Sequence, residues 1–453
     1  MPRITSPTQV IVVTNIHYTA GGVPRVGVRY MTNGLKVYYM PILPCFDQVS
    51  LPGYYSALPL FRKILLRERV TLVHGHAATS VLAHECLLAA RLLGVRTVFT
   101  DHSLFGFADA ASINVNKYLK FTLSCVDAAI SVSHTGRENL ALRASLAPSR
   151  IATIPNAVDA SRFTPDLTAR PPTEEHRVNV VLLSRLVYRK GIDLVAELIP
   201  AACARWPEMR FIIGGDGPKR ALLEAMRDVH GLHGRVELLG AVPHAHVRDV
   251  LVRGHIFLNA SLTEAFCIAL LEAACSGCFV VSTRVGGVPE VLPPECIRLA
   301  EPNVADLLEA LGEALPLALR HDAAAVHARL ARAYSWPDVA ARTVAVYDAV
   351  AARPLMSLDE ALMRWLGAGR VFGVIGVILM SLLYFFTQVL EVFDPADSVE
   401  VCPALCLNQE ALPGTRSAAA HEGVEDDSVA LEPRDEILAA SRMRHQCECR
   451  IAT

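Results

Sequence analysis

The chain has 453 residues, a formal net charge of −2 at pH 7 and 52% hydrophobic residues. This length predicts about three structural units, and the nearly neutral charge gives no support for nucleic-acid binding. The 12 cysteines are mostly scattered singly. We interpret those of the body as free thiols in a reducing compartment.

Residues 1–160 alternate short apolar strands with helices. Strands are predicted at 10–14, 35–41, 71–74, 96–100, 128–132 and 151–154, and helices at 58–69, 80–93, 114–125 and 135–144. This alternation predicts a doubly wound, parallel α/β domain. Residues 20–29 are predicted to be a loop, with Gly21-Gly22 as a connector, because no helix follows that could direct its N-terminus at an anion.

A Pro-containing linker at 161–176 precedes a second domain of the same kind at 177–335. Its predicted strands lie at 178–183, 210–213, 236–238, 256–258 and 278–282, and its predicted helices at 192–205, 219–229, 246–253, 265–275, 305–319 and 323–333. A closing helix is predicted at 336–352. The sequence therefore predicts two Rossmann-like domains that face a cleft.

The segment 371–390 has 20 residues without a charge, which matches the thickness of a hydrocarbon core. Residues 353–370 form the approach to it. Arg364 and Arg370 precede the segment and acidic residues follow it, which predicts a cytoplasmic body and a lumenal tail. The tail, 391–453, is acidic and is predicted to be disordered.

Several polar residues follow predicted strands, where open α/β sheets place their ligands. Arg185 and Lys190 share one strand-to-helix turn and suit a diphosphate, unless the turn is only solvated. Glu264 and Glu272 lie about 12 Å apart along a helix, too far to act as one acid/base pair but suitable for the two ends of a long ligand. Glu272 could accept hydrogen bonds from a ribose diol. His102 could bond a substrate hydroxyl, although a lone histidine is more often structural.

Five motifs carry a family resemblance. They are Glu264-x7-Glu272, Ser184-Arg185-Leu186 with Lys190-Gly191, Gly214-Gly215-Asp216-Gly217-Pro218, Pro155-Asn156-Ala157-Val158-Asp159 and Gly286-Gly287-Val288-Pro289-Glu290. Together they resemble retaining glycosyltransferases of the GT-B fold. Three longer segments, 99–109, 184–194 and 255–267, are similar to the catalytic subunits of the phosphatidylinositol N-acetylglucosaminyltransferase family. The resemblance covers about residues 9–351.

The resemblance implies a donor, UDP-GlcNAc, and an acceptor, phosphatidylinositol in the cytoplasmic leaflet of the endoplasmic reticulum. It also implies retention of anomeric configuration, no metal or other cofactor, and further subunits in a membrane complex. The resemblance also implies roles for the site residues. Arg185 and Lys190 would bind the diphosphate, and Glu272 would bind the ribose. Glu264 and the amides near Phe266, Cys267 and Ile268 would bind the donor sugar and phosphate, and His102 would contact the sugar at the reaction centre.

The sequence departs from the family at its start, where the first strand, loop and helix are expected and are not found. One alternative is therefore a non-catalytic scaffold subunit. Another is a lipid-linked glycosyltransferase with a different acceptor, such as a mannosyltransferase that acts on a dolichol carrier.

Overall fold

The computed structural model describes residues 9–18, 24–31, 34–46, 49–50, 52–106, 110–170, 177–402 and 449–452. The predicted Gly21-Gly22 connector, the end of the linker at 171–176 and the tail from 403 to 448 lie outside these residues.

The N-terminal domain is built on an eight-stranded sheet with the strand order β11-β10-β9-β8-β18-β1-β5-β4. Its strands are β1 (Gln9–Thr14), β4 (Gly27–Tyr30), β5 (Lys36–Tyr39), β8 (Val70–His76), β9 (Arg96–Asp101), β10 (Ala128–Ser131), β11 (Ile151–Thr153) and β18 (Cys449–Ala452). Two short hairpins flank it, β2 (His17–Tyr18) with β3 (Pro24–Arg25) and β6 (Pro44–Phe46) with β7 (Val49–Ser50). The prediction of a loop over residues 20–29 is wrong for β3 and β4, because β4 pairs antiparallel with β5 at the sheet edge.

Within the described residues, four helices that lie between its strands in the chain cover this sheet: α1 (Tyr54–Arg67), α2 (Val81–Leu92), α3 (Ala110–Leu123) and α4 (His134–Ala144). Apolar side chains of the strands and helices form its main core, which includes Val73, Phe99 and Leu119. All strand pairs other than β4–β5 are parallel in the described part of this sheet, as the alternation of strands and helices predicts.

The tail contributes the strand β18 to the middle of the N-terminal sheet. Gln9 pairs with Cys449 on one side, and Cys449 pairs with Val70 on the other, both in parallel register. The prediction of a disordered tail is therefore wrong for residues 449–452. This pairing places them on the same side of a membrane as the body, which is incompatible with a lumenal tail that follows a single crossing.

The C-terminal domain contains a six-stranded parallel sheet with the order β14-β13-β12-β15-β16-β17. Its strands are β12 (Val178–Leu183), β13 (Met209–Gly214), β14 (Val236–Gly240), β15 (Ile256–Asn259), β16 (Phe279–Thr283) and β17 (Ile297–Ala300). Its helices are α5 (Ile192–Arg205), α6 (Arg220–Val229), α7 (Val247–Leu251), α8 (Ile268–Cys275), α9 (Val304–Ala318) and α10 (Ala323–Ala333). Buried apolar clusters lie on both faces of the sheet, as a doubly wound fold requires.

Three helices complete the described body: α11 (Trp336–Ala351), α12 (Leu358–Leu366) and α13 (Phe372–Phe393). Tyr347 and Val350 of α11 pack against buried residues of the N-terminal sheet, so this helix joins the second domain back to the first. Within the described residues, α13 is the one helix that is long and apolar enough to cross a membrane.

One side of α13 packs against the N-terminal domain. Gly376 lies so close to the ring of Phe121 that a Cβ atom would come within 2.1 Å of it. Beyond the helix, Glu391 forms an ion pair with Arg62, and Cys402 donates its backbone N–H to the carbonyl of Arg67. Residues 391–402 are therefore ordered against the body, which also corrects the prediction of disorder for this segment.

Candidate active site

Glycines fix the turn that follows β12 against its neighbours. Gly191 has a φ of 67°, and a Cβ atom there would lie 1.8 Å from the carbonyl oxygen of Ala260. Gly215, in the loop after β13, has a φ of 135°, and its Cβ would lie 1.8 Å from the carbonyl oxygen of Ser184. No side chain fits at either position, so the turn that carries Arg185 and Lys190 is held between two other loops.

A cavity of about 420 Å³ opens beside this turn. It is lined by ends of strands and by the exposed side of α8: Leu183, Ser184, Arg185, Gly214, Gly215, Asp216, Ala241, Val242, Val247, Leu251, Phe257, Ala269 and Glu272. The sequence-predicted Arg185 and Glu272 thus share one cavity, which has a partly apolar wall.

These two charged side chains of the cavity are in different environments. Arg185 is exposed and has no carboxylate partner among the residues that the structure describes. Glu272 is half-buried, and this burial raises the pKa of its carboxyl group, although His244 and Arg162 act in the opposite direction. The ionised form of Glu272 therefore gains more from hydrogen-bond donors than an exposed carboxylate would.

Glu264 and Lys190 form an ion pair, which the sequence interpretation did not predict. The Oε1 atom of Glu264 accepts from Lys190 and lies 2.8 Å from the hydroxyl of Ser261. Its Oε2 atom has no partner among the described residues. The charge of Lys190 is therefore balanced within the protein, and one carboxylate oxygen of Glu264 is available to a ligand.

Helix α8 begins at Ile268, three residues later than predicted. Cys267 has a left-handed φ of 72° and ends the preceding loop. Phe266 is buried in the core, with its ring centroid 6.0 Å from that of Tyr334. Burial raises the pKa of the Cys267 thiol to about 12, so the thiol is neutral at physiological pH. The residues at 266–268 can therefore offer a ligand backbone amides at a helix N-terminus, but no charged side chain.

The N-terminal domain brings His102 to the opposite side of the cleft. His102 directly follows β9, and its Nε2 atom lies 3.2 Å from Nδ1 of His76 at the end of β8. The preceding residue, Asp101, is buried and accepts a hydrogen bond of 3.0 Å from Arg143. Asp101 therefore has a structural role, whereas His102 is exposed to the cleft.

The loop after β16 joins the two domains at the site. A Cβ atom on Gly286 would lie 2.1 Å from the carbonyl oxygen of Glu264 and 2.5 Å from the side chain of Leu104. Gly287 donates its N–H to the same Glu264 carbonyl over 3.0 Å. The backbone of Glu264 thus contacts the loop that also meets the segment after His102.

Family comparisons agree with this geometry. The model described as PIGA (GPI anchor biosynthesis) matches residues 20–109, and the model described as glycosyl transferases group 1 matches residues 177–316. A phosphatidylinositol N-acetylglucosaminyltransferase subunit of Arabidopsis thaliana is 51% identical, over 84% of this chain and 85% of the relative. The human protein of the same name is 46% identical, over 87% of this chain and 80% of the relative.

The chain belongs to the PIGA family of phosphatidylinositol N-acetylglucosaminyltransferase subunits. It is a glycosyltransferase with the GT-B fold, as the sequence predicted. Sucrose-phosphate synthase from Thermosynechococcus elongatus superimposes with a TM-score of 0.61 at 20% identity, covering 76% of this chain and 89% of that structure. The pneumococcal O-GlcNAc transferase GtfA, in complex with UDP and GlcNAc, gives a TM-score of 0.53 at 18% identity, covering 75% of this chain and 70% of that structure. At these identities both similarities show the fold alone.

Three polar residues of the site were assigned no role from the sequence. Ser261 lies beside Glu264, and its side chain is fully buried. Glu290 is part of a family motif, but its contacts with the other domain depend on the fold. His76 belongs to a His-Gly-His run at a strand end. Because strand ends were already the expected ligand positions, this run was the one signal in the sequence that could have identified it.

Proposed function

We propose that this chain transfers N-acetylglucosamine from UDP-GlcNAc to phosphatidylinositol, with retention of anomeric configuration. The observation that carries the proposal is the cavity that Arg185 and Glu272 share beside the Lys190–Glu264 pair. Relatives at 41–51% identity are named for N-acetylglucosaminyl transfer to phosphatidylinositol. These names favour an inositol-lipid acceptor over a dolichol-linked one.

The donor would bind along the C-terminal domain. Glu272 would accept hydrogen bonds from both ribose hydroxyls, and the base would lie against the apolar wall that includes Val242. Arg185 and the backbone amides at the start of α8 would bind the diphosphate. The free Oε2 atom of Glu264 would then accept a hydrogen bond from a hydroxyl of the sugar.

The transfer step would occur on one face of the sugar. The inositol hydroxyl oxygen forms a bond to the anomeric carbon, while the bond from that carbon to the phosphate oxygen breaks on the same face. The proton of the hydroxyl passes to the leaving phosphate oxygen, so UDP departs and the configuration is retained. His102 would bond the sugar at the reaction centre, and the protein would act by positioning and by stabilising charge.

We propose that turnover requires no metal ion. Arg185 and the α8 amides supply positive charge where the diphosphate leaves, which is the task that a divalent cation performs in other glycosyltransferases. Full activity in the presence of a chelator is therefore expected. Loss of activity with EDTA, restored by a divalent cation, would contradict this part of the proposal.

We further propose that the body faces the cytosol at the membrane of the endoplasmic reticulum and works with other subunits. The basic residues before α13 support this orientation, and the relatives are named as subunits. Protease treatment of sealed microsomes should degrade the body. A glycosylation acceptor appended after Thr453 tests the tail separately: the β18 pairing predicts that it stays unmodified, and its modification would exclude that pairing.

The decisive test of the function compares two arginines of one turn. Arg185→Ala should abolish UDP binding and transfer, because Arg185 lines the cavity. Arg189→Ala is the matched control, since Arg189 is exposed in the same turn and lies outside the cavity lining. Each variant is assayed in membranes for transfer of labelled GlcNAc to phosphatidylinositol, with dolichyl phosphate as the competing acceptor.

Three results would contradict the proposal. They are transfer to dolichyl phosphate in preference to phosphatidylinositol, an inverted anomeric configuration in the product by NMR, and equal activity of the two arginine variants. Complementation of cells that lack the GlcNAc-phosphatidylinositol step distinguishes an enzyme from a non-catalytic scaffold. The scaffold would complement equally well with Glu272→Ala, whereas the enzyme would not.

A further inference from the structure

Three histidine rings stack at the ends of β8 and β9, in the wall of the cleft. The ring centroids of His74 and His76 are 4.3 Å apart, and those of His76 and His102 are 5.5 Å apart with an angle of 15° between the planes. His74 is buried, His76 is half-buried and His102 is exposed. The stack therefore runs from the protein interior to the cleft.

The inner end of the stack is fixed on both ring nitrogens. Nδ1 of His74 lies 2.6 Å from the hydroxyl of Tyr347, and Nε2 lies 2.7 Å from the hydroxyl of Thr100. Tyr347 belongs to α11, so the helix that joins the two domains contributes to this anchor. A ring held by two hydrogen bonds offers a rigid surface on which His76 can stack.

The backbone sets the direction of His76. Residues 74 and 76 point to the same side of β8 because side chains alternate along a strand. Gly75, between them, faces α2, where a Cβ atom would lie 2.9 Å from Leu87. After the strand, Ala77 has a φ of 70° and donates its N–H to the carbonyl of Thr100 over 3.0 Å. The end of β8 is therefore tied to β9, and His76 has little freedom to turn away from His102.

We propose that His76 is a positioning residue that fixes the ring orientation and tautomer of His102 for the transfer reaction. The hydrogen bond of 3.2 Å between Nδ1 of His76 and Nε2 of His102 occupies one nitrogen of His102. The other nitrogen, Nδ1, has no partner among the described residues and is the one that can bond a sugar hydroxyl. This inference rests on the proposed function, in which His102 contacts the donor sugar.

The surroundings keep the pair neutral, as this hydrogen bond requires. Burial, with a smaller effect of His102, lowers the pKa of His76 to about 4. Partial desolvation of the His102 ring by the surrounding protein lowers the pKa of His102, against the opposing charge of Asp101. Burial lowers the pKa of His74 well below its ordinary value. Asp101 is already engaged by Arg143. At neutral pH one ring of the pair therefore donates and the other accepts.

The test uses His76→Leu and His76→Asn in the full-length chain, with His233→Leu as an exposed control remote from the site. His76→Leu should lower kcat by about 10- to 100-fold, because misplacement of a group at the reaction centre has effects of this size. KM for UDP-GlcNAc and UDP affinity should stay nearly unchanged. His76→Asn should recover most of kcat, since its amide places a hydrogen-bonding atom near the position of Nδ1.

A double-mutant cycle shows whether His76 acts through His102. In a His102→Ala background, His76→Leu should change kcat by less than about twofold, because the residue that it positions is gone. Independent losses that multiply in the double variant would overturn the proposal. Failure of His76→Asn to recover any activity, together with lost UDP binding, would also overturn it, by showing that His76 acts only in folding.

If the proposed function is wrong, the unsubstituted chain will show no transfer of GlcNAc to phosphatidylinositol, and this result is independent of the His76 variants. In that case the ratio of UDP-GlcNAc to UDP affinity still tests His76. A lower ratio in His76→Leu than in the unsubstituted chain, with recovery in His76→Asn, would support the positioning of a sugar contact. Identical ratios in the unsubstituted chain and both variants would refute it.

Discussion

The carboxylate of Glu290 connects the C-terminal domain to the N-terminal domain. Its Oε2 atom accepts from the N–H of His134 over 2.6 Å, and its Oε1 atom accepts from the N–H and the hydroxyl of Thr135 over 2.8 and 2.7 Å. These two residues begin α4, so the carboxylate also lies at the positive end of a helix. We predict that Glu290→Ala weakens domain alignment and leaves the nucleotide cavity intact.

The expected magnitude follows from these contacts. Loss of an acidic group that caps a helix N-terminus costs about 0.5–2 kcal/mol. Glu290 is exposed, so water can replace it at both N–H groups and the loss lies near the middle of that range, about 1 kcal/mol. This corresponds to about a fivefold shift away from the aligned domains. Because the proposed transfer needs His102 and Glu264 on facing sides, kcat/KM for transfer should fall by about the same factor.

Steady-state transfer kinetics and a UDP titration together test this reasoning. Glu290→Ala should lower kcat/KM while UDP affinity stays unchanged, because Glu290 does not line the cavity. Glu295→Ala is the control, since this nearby carboxylate pairs with Arg329 at the surface. An unchanged kcat/KM in Glu290→Ala, or a parallel loss of UDP affinity, would refute the role of Glu290 in domain alignment.

Two further predictions concern the cavity. Burial raises the pKa of Glu272, and in the proposed complex the ribose hydroxyls bind its ionised form. UDP affinity should therefore fall as the pH is lowered through that raised pKa. Calorimetry between about pH 5 and pH 8 should show this fall, and Glu272→Gln should bind UDP weakly at every pH; a pH-independent affinity in the unsubstituted chain would exclude the role. Gly191→Ala should lower stability by about 2 kcal/mol or more, because its Cβ would overlap the backbone of Ala260, and should also weaken UDP binding. Thermal unfolding checks this against Gly234→Ala, which has open space around it, and equal melting temperatures would contradict the packing argument.

The sequence predicted much of the fold because most of its strands are buried and apolar. A mostly apolar run such as Val178–Leu183 is typical of a central strand that is buried on both faces of a parallel sheet, so its position can be predicted from the sequence. The edge strand Gly27–Tyr30 was missed because its residues are exposed and follow the Gly- and Pro-containing stretch 21–24. This strand is stabilised by its antiparallel hydrogen bonds with β5, which the local sequence does not reveal. The strand Cys449–Ala452 was missed because its partners β1 and β8 lie far away in sequence.

The residue types of the site could be predicted, but their pairings could not. Arg185 was predicted because the ends of parallel strands meet at one edge of a sheet. Glu272 was predicted from its spacing of eight residues after Glu264 and from the family motif that the two form. The partnership of Lys190 with Glu264 joins residues 74 positions apart, and nothing local in the sequence indicates it. The late start of α8 likewise depends on contact between Glu264 and the Gly287 loop, which outweighs the helix propensity of Ala265.

The ion pair changes how charge should be assigned across the site. The side chain of Glu264 is 13% exposed, so an unpaired carboxylate there would be costly, and Lys190 offsets most of that cost. In the proposed donor complex, Lys190 would therefore contribute less positive charge to the diphosphate than its position in the turn suggests. Arg185, exposed and without a carboxylate partner in the described part of the chain, and the amides of α8 are the groups left for that task. In the proposed donor complex, Lys190 and Ser261 occupy Oε1 of Glu264 and leave Oε2 for a sugar hydroxyl, so Lys190 would serve the sugar end of the donor more than its phosphates.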